Sequence, residues 1–325
     1  MIIKKSIILI LFLVCADSFS QIGGQSVYQF LNLVTSPRQA ALGGKVLTIV
    51  DSDVNQAHFN PATINPEMDN HLAVNYGNYL GAVTYGTASY AYTYDRHVQT
   101  FHAGVNYVNY GKIEGYDENG QPTSSFTGSE TSLSFGYAYN IPRTDFGALF
   151  IDTRNDVNWA LVVRNVGTQI TTYAGTHEKL PLEILIGVSQ QVENVPIRWH
   201  LTLENLQQWN IAFSNPNREQ GSINGNAIPE KISFFNNALR HLVLGAELFP
   251  TKGFNLRLGY NFRRSEELRI EDQRNFSGIS VGFGLKMNKL KFNYSYSRYT
   301  LAGNTSLFGL TINFQELCCI FEAHI

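Results

Sequence analysis

From His71 onward, apolar and polar residues alternate one for one in segments of about ten residues, the period of a β-strand with two unlike faces. Thr131–Tyr139 places Leu133, Phe135, Tyr137 and Tyr139 on one face, and Ser132, Ser134, Gly136 and Ala138 on the other. Gly253–Arg263 sets Phe254, Leu256, Leu258, Tyr260 and Phe262 against Asn255, Arg257, Gly259, Asn261 and Arg263. Gly278–Asn288, Leu290–Tyr296 and Phe308–Phe314 repeat the scheme. A soluble sandwich would also alternate. Here the apolar faces are continuous and end in Tyr or Phe, while the opposite faces carry small and ionisable residues. That combination suits lipid outside and a polar lumen inside, and a lipid-facing sheet must close to pair its backbone. The predicted fold is therefore all-β, an antiparallel transmembrane β-barrel.

Short connections at Asp95-Arg96, Ile141–Asp145, Glu193–Val195, Pro250–Lys252 and Asn288-Lys289 alternate with long ones. The long ones are Tyr110–Gly128, Asn165–Pro181, Leu206–Ala238 and Arg264–Asn275. Short turns face the periplasm in such barrels and long loops face outside. Between Ile141–Asp145 and Asn165 the chain must cross an odd number of times. Three crossings need roughly twenty-seven residues and only about twenty are present, so one crossing fits and the wall holds about twelve full strands.

Ser36–Ile64 breaks the alternation. Ser36 suits an N-cap, Pro37 the first helical position and Gly43-Gly44 a left-handed stop, which predicts a short helix over Pro37–Leu42 that also carries Arg38. A second short helix is expected from Asp51 or Asp53 to about His58, ending before Asn60-Pro61. This stretch reads as a hatch, and residues 21–70 form the plug segment that the barrel of 71–314 surrounds. Residues 1–20 read as an export signal: Lys4 and Lys5, an apolar run over Ile7–Val14, and small residues before cleavage at Gln21. Residues 315–325 form an atypical tail with vicinal Cys318-Cys319.

Composition narrows the function. Only 15% of residues are charged, against 17 Tyr, 21 Phe and 27 Gly, and the net charge of −2 gives no footprint for nucleic acid. No cysteine framework or metal-spaced set is present, and no cofactor is expected. Gly278-Ile279-Ser280-Val281-Gly282 matches a nucleophile-elbow pattern, but lies inside an alternating strand, so Ser280 reads as an inward strand residue. His97 and His102 fall on opposite faces of their strand and cannot share a metal. Arg164, Glu183, Arg198, His200, Glu204, Glu247, Arg257, Arg263 and Lys286 are the expected lumen charges, bracing the interior against the hatch. Asp51 and Asp53 read as helix caps.

Asn60-Pro61-Ala62, after a small-residue helix and an Asp-rich turn, resembles the N-terminal hatch of FadL-type barrels. YGKIEGYDENGQPTSSFTGSETSLSFGYAY (Tyr110–Tyr139) is similar to the PorV/PorQ group of the type IX secretion system of Bacteroidota. Thr171–Pro181, Pro196–Gln207 and Phe254–Arg264 look like its PorQ branch. The resemblance implies a non-enzymatic outer-membrane barrel of about fourteen strands, with one hairpin lacking around Phe146–Asp156. It implies a docking scaffold for the surface protein PorZ beside PorU and PorV. The runner-up is a FadL-like channel for hydrophobic small molecules, which would need an apolar pocket beside the hatch. The partner-binding surface is expected on the long loops, with Trp209, Phe213, Phe234 and Phe235 as aromatic anchors and Tyr116 and Phe126 adding to the same rim.

Overall fold

A computed structural model describes residues 27–79, 81–95, 99–139, 149–152, 155–167, 180–212, 220–221, 227–228, 232–268, 276–299 and 303–314. The export signal, Phe213, His97 and the tail beyond Phe314 lie outside these residues. The wall strands are β1 (His71–Asn78), β2 (Thr84–Asp95), β3 (Gln99–Tyr116), β4 (Pro122–Tyr139), β5 (Leu149–Asp152), β6 (Val157–Arg164), β7 (Glu183–Gln191) and β8 (Ile197–Leu203). A two-residue ladder, β9 (Gln220–Gly221) with β10 (Ala227–Ile228), stands apart. The wall resumes with β11 (Leu242–Leu248), β12 (Phe254–Asn261), β13 (Ile279–Met287), β14 (Leu290–Arg298) and β15 (Asn304–Asn313). Among the described residues the other elements are helices α1 (Pro37–Ala41), α2 (Phe234–Arg240) and α3 (Phe262–Glu267) and four short 3₁₀ turns.

Every wall pairing is antiparallel, in the order β4-β3-β2-β1-β15-β14-β13-β12-β11-β8-β7-β6-β5. The first wall strand pairs the last from His71↔Asn313 to Asn78↔Ser306, so the meander turns back on itself there. Among the described residues the wall has thirteen strands, and one of them, β5, has only four residues. β5 pairs only the start of β6, from Leu149↔Ala160 to Asp152↔Val157, so it is a stub at the short-turn end. Thirteen less the stub leaves twelve full crossings, with the irregularity where the parity argument placed it. β4 and β5 flank the seam of the wall.

Alternation is realised as two unlike surfaces. Outward residues are large, apolar and open: Phe135 is 82% exposed and Leu133 69%. In water so continuous an apolar surface would drive association, whereas lipid solvates it. The same pattern runs around to Phe308, Leu310 and Phe314 on the last strand. Inward residues such as Asn75, Ser89, Thr202 and Ser295 are buried and polar. Among the described residues no helix is long and apolar enough to cross a membrane.

Three expectations change. Tyr110–Gly128 is no loop, because β3 and β4 run on as one hairpin with Tyr116 paired to Pro122. The strand expected through Arg263 ends at Asn261, whose side chain accepts a hydrogen bond from Arg264 N and starts α3. The long connection expected over Leu206–Ala238 holds a helix, since Ile232–Phe235 leads into α2 with Ser233 as the cap accepting from Asn236 N.

Candidate functional site

The site is the filled interior. α1 starts after Ser36, and the chain leaves it through Gly43 at φ +95°, a conformation that favours glycine. Its seat is a belt of inward glycines. A Cβ on Gly259 would lie 2.0 Å from Gly43 N, and one on Gly282 would lie 2.6 Å from Ala41 Cβ. One on Gly309 would lie 2.9 Å from Pro37 Cγ. The missing side chains are what allow the plug backbone to lie against the wall.

Two buried ion-pair nodes fix the plug. In the first, Arg38 donates from Nε and Nη2 to the two oxygens of Glu247 at 2.9 and 3.0 Å, a bidentate grip, and from Nη1 to Asp51 Oδ2 at 2.6 Å. Asp53 stands 3.6 Å from the same Nη1. Glu247 also accepts from Arg257 Nε at 2.9 Å, and Arg257 Nη1 donates to Asn293 Oδ1 at 2.9 Å. Burial opposes the Arg38 charge, but Asp51 and Glu247 outweigh it and hold the guanidinium charged. In the second node, Lys45 Nζ donates to Glu183 at 2.6 and 2.7 Å, and Arg164 Nη1 lies 3.5 Å from the same carboxylate. Burial pushes Lys45 down, and Glu183 opposes that shift.

Further hydrogen bonds complete the ring. Asp53 caps the 3₁₀ turn Val54–His58 by accepting from Asn55 N, and Asn60 caps Pro61–Thr63 by accepting from Ala62 N. Asn60 Nδ2 also donates to Leu47 O at 2.8 Å, so Asn60-Pro61 is a brace within the plug. Asn75 of β1 donates to Asn55, His102 Nε2 of β3 to Val54 O, and Asn158 of β6 to Thr48 O. Arg264 Nη2 donates to Gly43 O at 2.9 Å. Gly44 sits beneath Glu204, whose Oε1 would be 3.3 Å from a Cβ there.

Most of the expected lumen charges converge on these nodes, with exceptions. Lys286 is exposed, and Arg263 pairs Glu267 at the outer rim at 2.9 Å. His200 is buried among the nodes without a hydrogen-bond partner among the described residues. Ser280 is fully buried in β13 and accepts from Ser297 Oγ at 2.9 Å and Arg264 at 3.2 Å, a wall residue as its pattern predicts. Among the described residues no group of three His, Cys, Asp or Glu side chains converges on a metal-sized site.

His58 supplies a pH dependence. Asn106 Nδ2 donates to its Nε2 at 2.8 Å, which requires that nitrogen to be unprotonated. Burial, with Arg164 and His102 adding, pushes its pKa down to about 3. An unfolded plug titrates near 6.5, so below that pH it takes up a proton that the seated plug refuses. Seating is therefore undiminished above pH 6.5 and weakens as pH falls from there toward about 3. The slope is at most about 1.4 kcal/mol per pH unit, and solvent reaching the ring edge reduces it. His58→Gln is expected to flatten the pH dependence of plug opening between pH 6.5 and 4, measured against wild type. An unchanged slope would refute this assignment.

At the long-loop end the interior is apolar. Phe30 packs with Tyr85, Val108 and Leu307, flanked by Leu31, Leu33 and Val34 of the chain's own N-terminal segment. The inward faces are thus not polar throughout: an apolar patch lies beside the hatch and is filled from within. Arg164 Nη2 donating to Leu31 O at 3.1 Å, and Tyr85 OH donating to Val34 O at 3.3 Å, hold that segment in place.

The rim aromatics divide. Trp209 packs on Phe234 at 4.7 Å and stacks on His241 at 5.5 Å. Phe235 is 71% exposed beside them. Tyr116 and Phe126 are exposed on the β3–β4 hairpin.

No family model matches this sequence, and no curated protein matches it. Similar solved structures include the Ralstonia pickettii toluene transporter TbuX, at 11% identity and a TM-score of 0.35, covering 87% of this chain and 97% of that one. Another is Pseudomonas putida OprB at low pH, at 8% identity and a TM-score of 0.25, covering 74% of this chain and 90% of that one. Both are distant likenesses. The architecture is an antiparallel barrel wall around a short N-terminal helical hatch.

Proposed function

We propose that this chain is a non-enzymatic outer-membrane barrel whose interior is kept shut by its own plug and whose outer rim anchors a protein at the cell surface. The observation that carries this reading is the completeness of the tie between plug and wall. Charged, amide and carbonyl contacts reach the plug from β1, β3, β6, β7, β11 and β12. A gated pore favours a plug with a weak side, and two buried ion-pair nodes on different strands oppose that. The resemblance to the PorV/PorQ group names the candidate partner, PorZ, within an attachment complex with PorU and PorV. Exposed aromatics at the rim support docking, since aromatic anchors carry much of the energy of interfaces.

The channel reading has one observation in its favour, the apolar patch of Tyr85, Val108 and Leu307. Its present occupant is Phe30 and the neighbouring aliphatic residues of this chain. One pair of measurements separates the readings. In planar bilayers the purified barrel is expected to be silent, and a surface protein is expected to co-isolate with it from intact outer membranes. Phe235→Ser should lower that recovery at least tenfold while the barrel keeps its heat-modifiable mobility. Saturable uptake of a labelled hydrophobic compound, with no protein recovered, would reverse the assignment.

A further inference from the structure

The outward side chains of β4 change character part-way along the strand. From Tyr139 back to Leu133 they are apolar, and from Thr131 back to Ser125 every one is Ser or Thr. β3 changes at the same height, where Tyr107 pairs with Thr131 and is followed outward by Asn109. The lipid-facing band therefore ends at the Tyr107–Thr131 rung. Pro122–Glu130 stands beyond it in water, a length of about 30 Å at the usual rise of a strand.

The far edge of this overhang has no strand beside it among the described residues. β5, at the other flank of the seam, lies wholly at the short-turn end. Natural edge strands are guarded by lysines, bulges or inward charges. Here the bulge at Tyr110–Gly111 puts its extra residue in β3, opposite Gly128, and the second irregularity lies in β4 between Pro122 and Ser125, so β4 itself carries no inserted residue and no proline from Ser125 to Tyr139. The one charge on this stretch, Glu130, is occupied by an accepted hydrogen bond from Tyr110 OH. Over Ser125–Glu130 the edge is unguarded and on the outer side of the membrane, and such edges accept an added strand.

We infer that the β4 edge over Ser125–Glu130 takes an extended segment of the surface partner as an added antiparallel strand, an inference that rests on the docking reading above. β4 runs from the hairpin tip toward the membrane, so the added strand runs away from it. Two copies of this chain inserted in the same sense present parallel β4 strands, so a second β4 does not fit. The neighbours specify the segment's chemistry. Phe126, paired with Ile113, lies on the lumen-side face, while Ser125 and Thr127 lie on the other. The added strand should alternate, with an apolar side chain beside Phe126 and polar ones beside Ser125 and Thr127, and should contain no proline.

The test uses the full-length barrel in intact outer membranes, with the surface protein that co-isolates with wild type as the probe. Thr127→Pro and Gly128→Pro are compared, because the N–H groups of consecutive strand residues point to opposite edges. A disulfide between Glu114→Cys and Ser125→Cys, which face each other across the hairpin, reports whether the hairpin survives. The proline that removes an outer-edge N–H should keep the disulfide and lower recovery of the partner at least tenfold. A photo-crosslinking residue at Ser129 should capture the same partner. Undiminished recovery with the hairpin intact, or crosslinking only to lipid or to a second copy of this chain, would overturn the added strand while leaving rim docking standing. If no surface protein co-isolates even with wild type, both fall together.

Discussion

Glu247→Gln is expected to loosen the plug by about 3–5 kcal/mol, the range found when one partner of a buried ion pair is removed. Glu247 is fully buried and gripped by two guanidiniums, Arg38 from the plug and Arg257 from the neighbouring strand. The substitution keeps shape and volume but removes the charge. Arg38 retains Asp51 and Asp53, while Arg257 is left with the neutral Asn293. Arg257 cannot shed its proton, so its uncompensated charge favours any state that admits water. Opening of the plug is that state. It can be followed by thiol labelling of Thr48→Cys, a buried plug position whose hydroxyl has no hydrogen-bond partner among the described residues, in a background with Cys318 and Cys319 replaced by serine. Labelling should accelerate at least a hundredfold, because each 1.4 kcal/mol is about a factor of ten. The matched control is Glu114→Gln, since the Lys112–Glu114 pair is 3.6 Å apart and open to water. Equal labelling of Glu247→Gln and wild type would mean that the node does not hold the plug.

The wall was legible because a period of two is forced on any sheet with lipid on one side and polar groups on the other. The parity of short and long connections is enough to place the irregular hairpin at β5. The helix at Pro37 was equally readable, from a proline at the first turn and a glycine pair at the end. Other features were hidden for definite reasons. Alternation reveals that Glu247 and Arg257 face inward, but not that Arg38, 209 residues from Glu247, completes their node. Of the plug's own charges, Arg38 and Asp51 were read as helix and cap residues and Lys45 was given no role, although each anchors or extends an ion pair. The apolar patch was missed because β2 carries Tyr on both faces, Tyr85 inward and Tyr92 outward, so aromatic identity alone does not give the side. The helix at Phe234 had its signal in Ser233, a capping residue ahead of Phe-Phe-Asn-Asn-Ala-Leu-Arg, overridden by the aromatic pair that was read as loop anchors.

The inward glycines carry the second large effect. As small residues on a polar face they could be read simply as making room, and Gly259 shows what the room is for. A Cβ there would sit 2.0 Å from Gly43 N and 2.1 Å from Leu42 C, both backbone atoms of the plug. A flexible side-chain tip could swing aside, but this backbone cannot. Gly43 is held at φ +95°, and its carbonyl accepts from Arg264 Nη2 at 2.9 Å. Adding a methylene to a tight core costs typically about 1–3 kcal/mol when neighbours can adjust, and more when they cannot. Gly259→Ala is therefore expected to leave the wall intact, since alanine suits a strand at least as well as glycine, while the plug fails to seat. Heat-modifiable mobility should persist, Thr48→Cys should label as fast as in an unfolded control, and the otherwise silent barrel should conduct in bilayers. Gly86→Ala is the control, because its nearest neighbour, Asn75 O, lies at an ordinary 3.4 Å. A Gly259→Ala barrel that stays silent and protected would show that the plug is held by its charged nodes alone and that the glycine belt is dispensable.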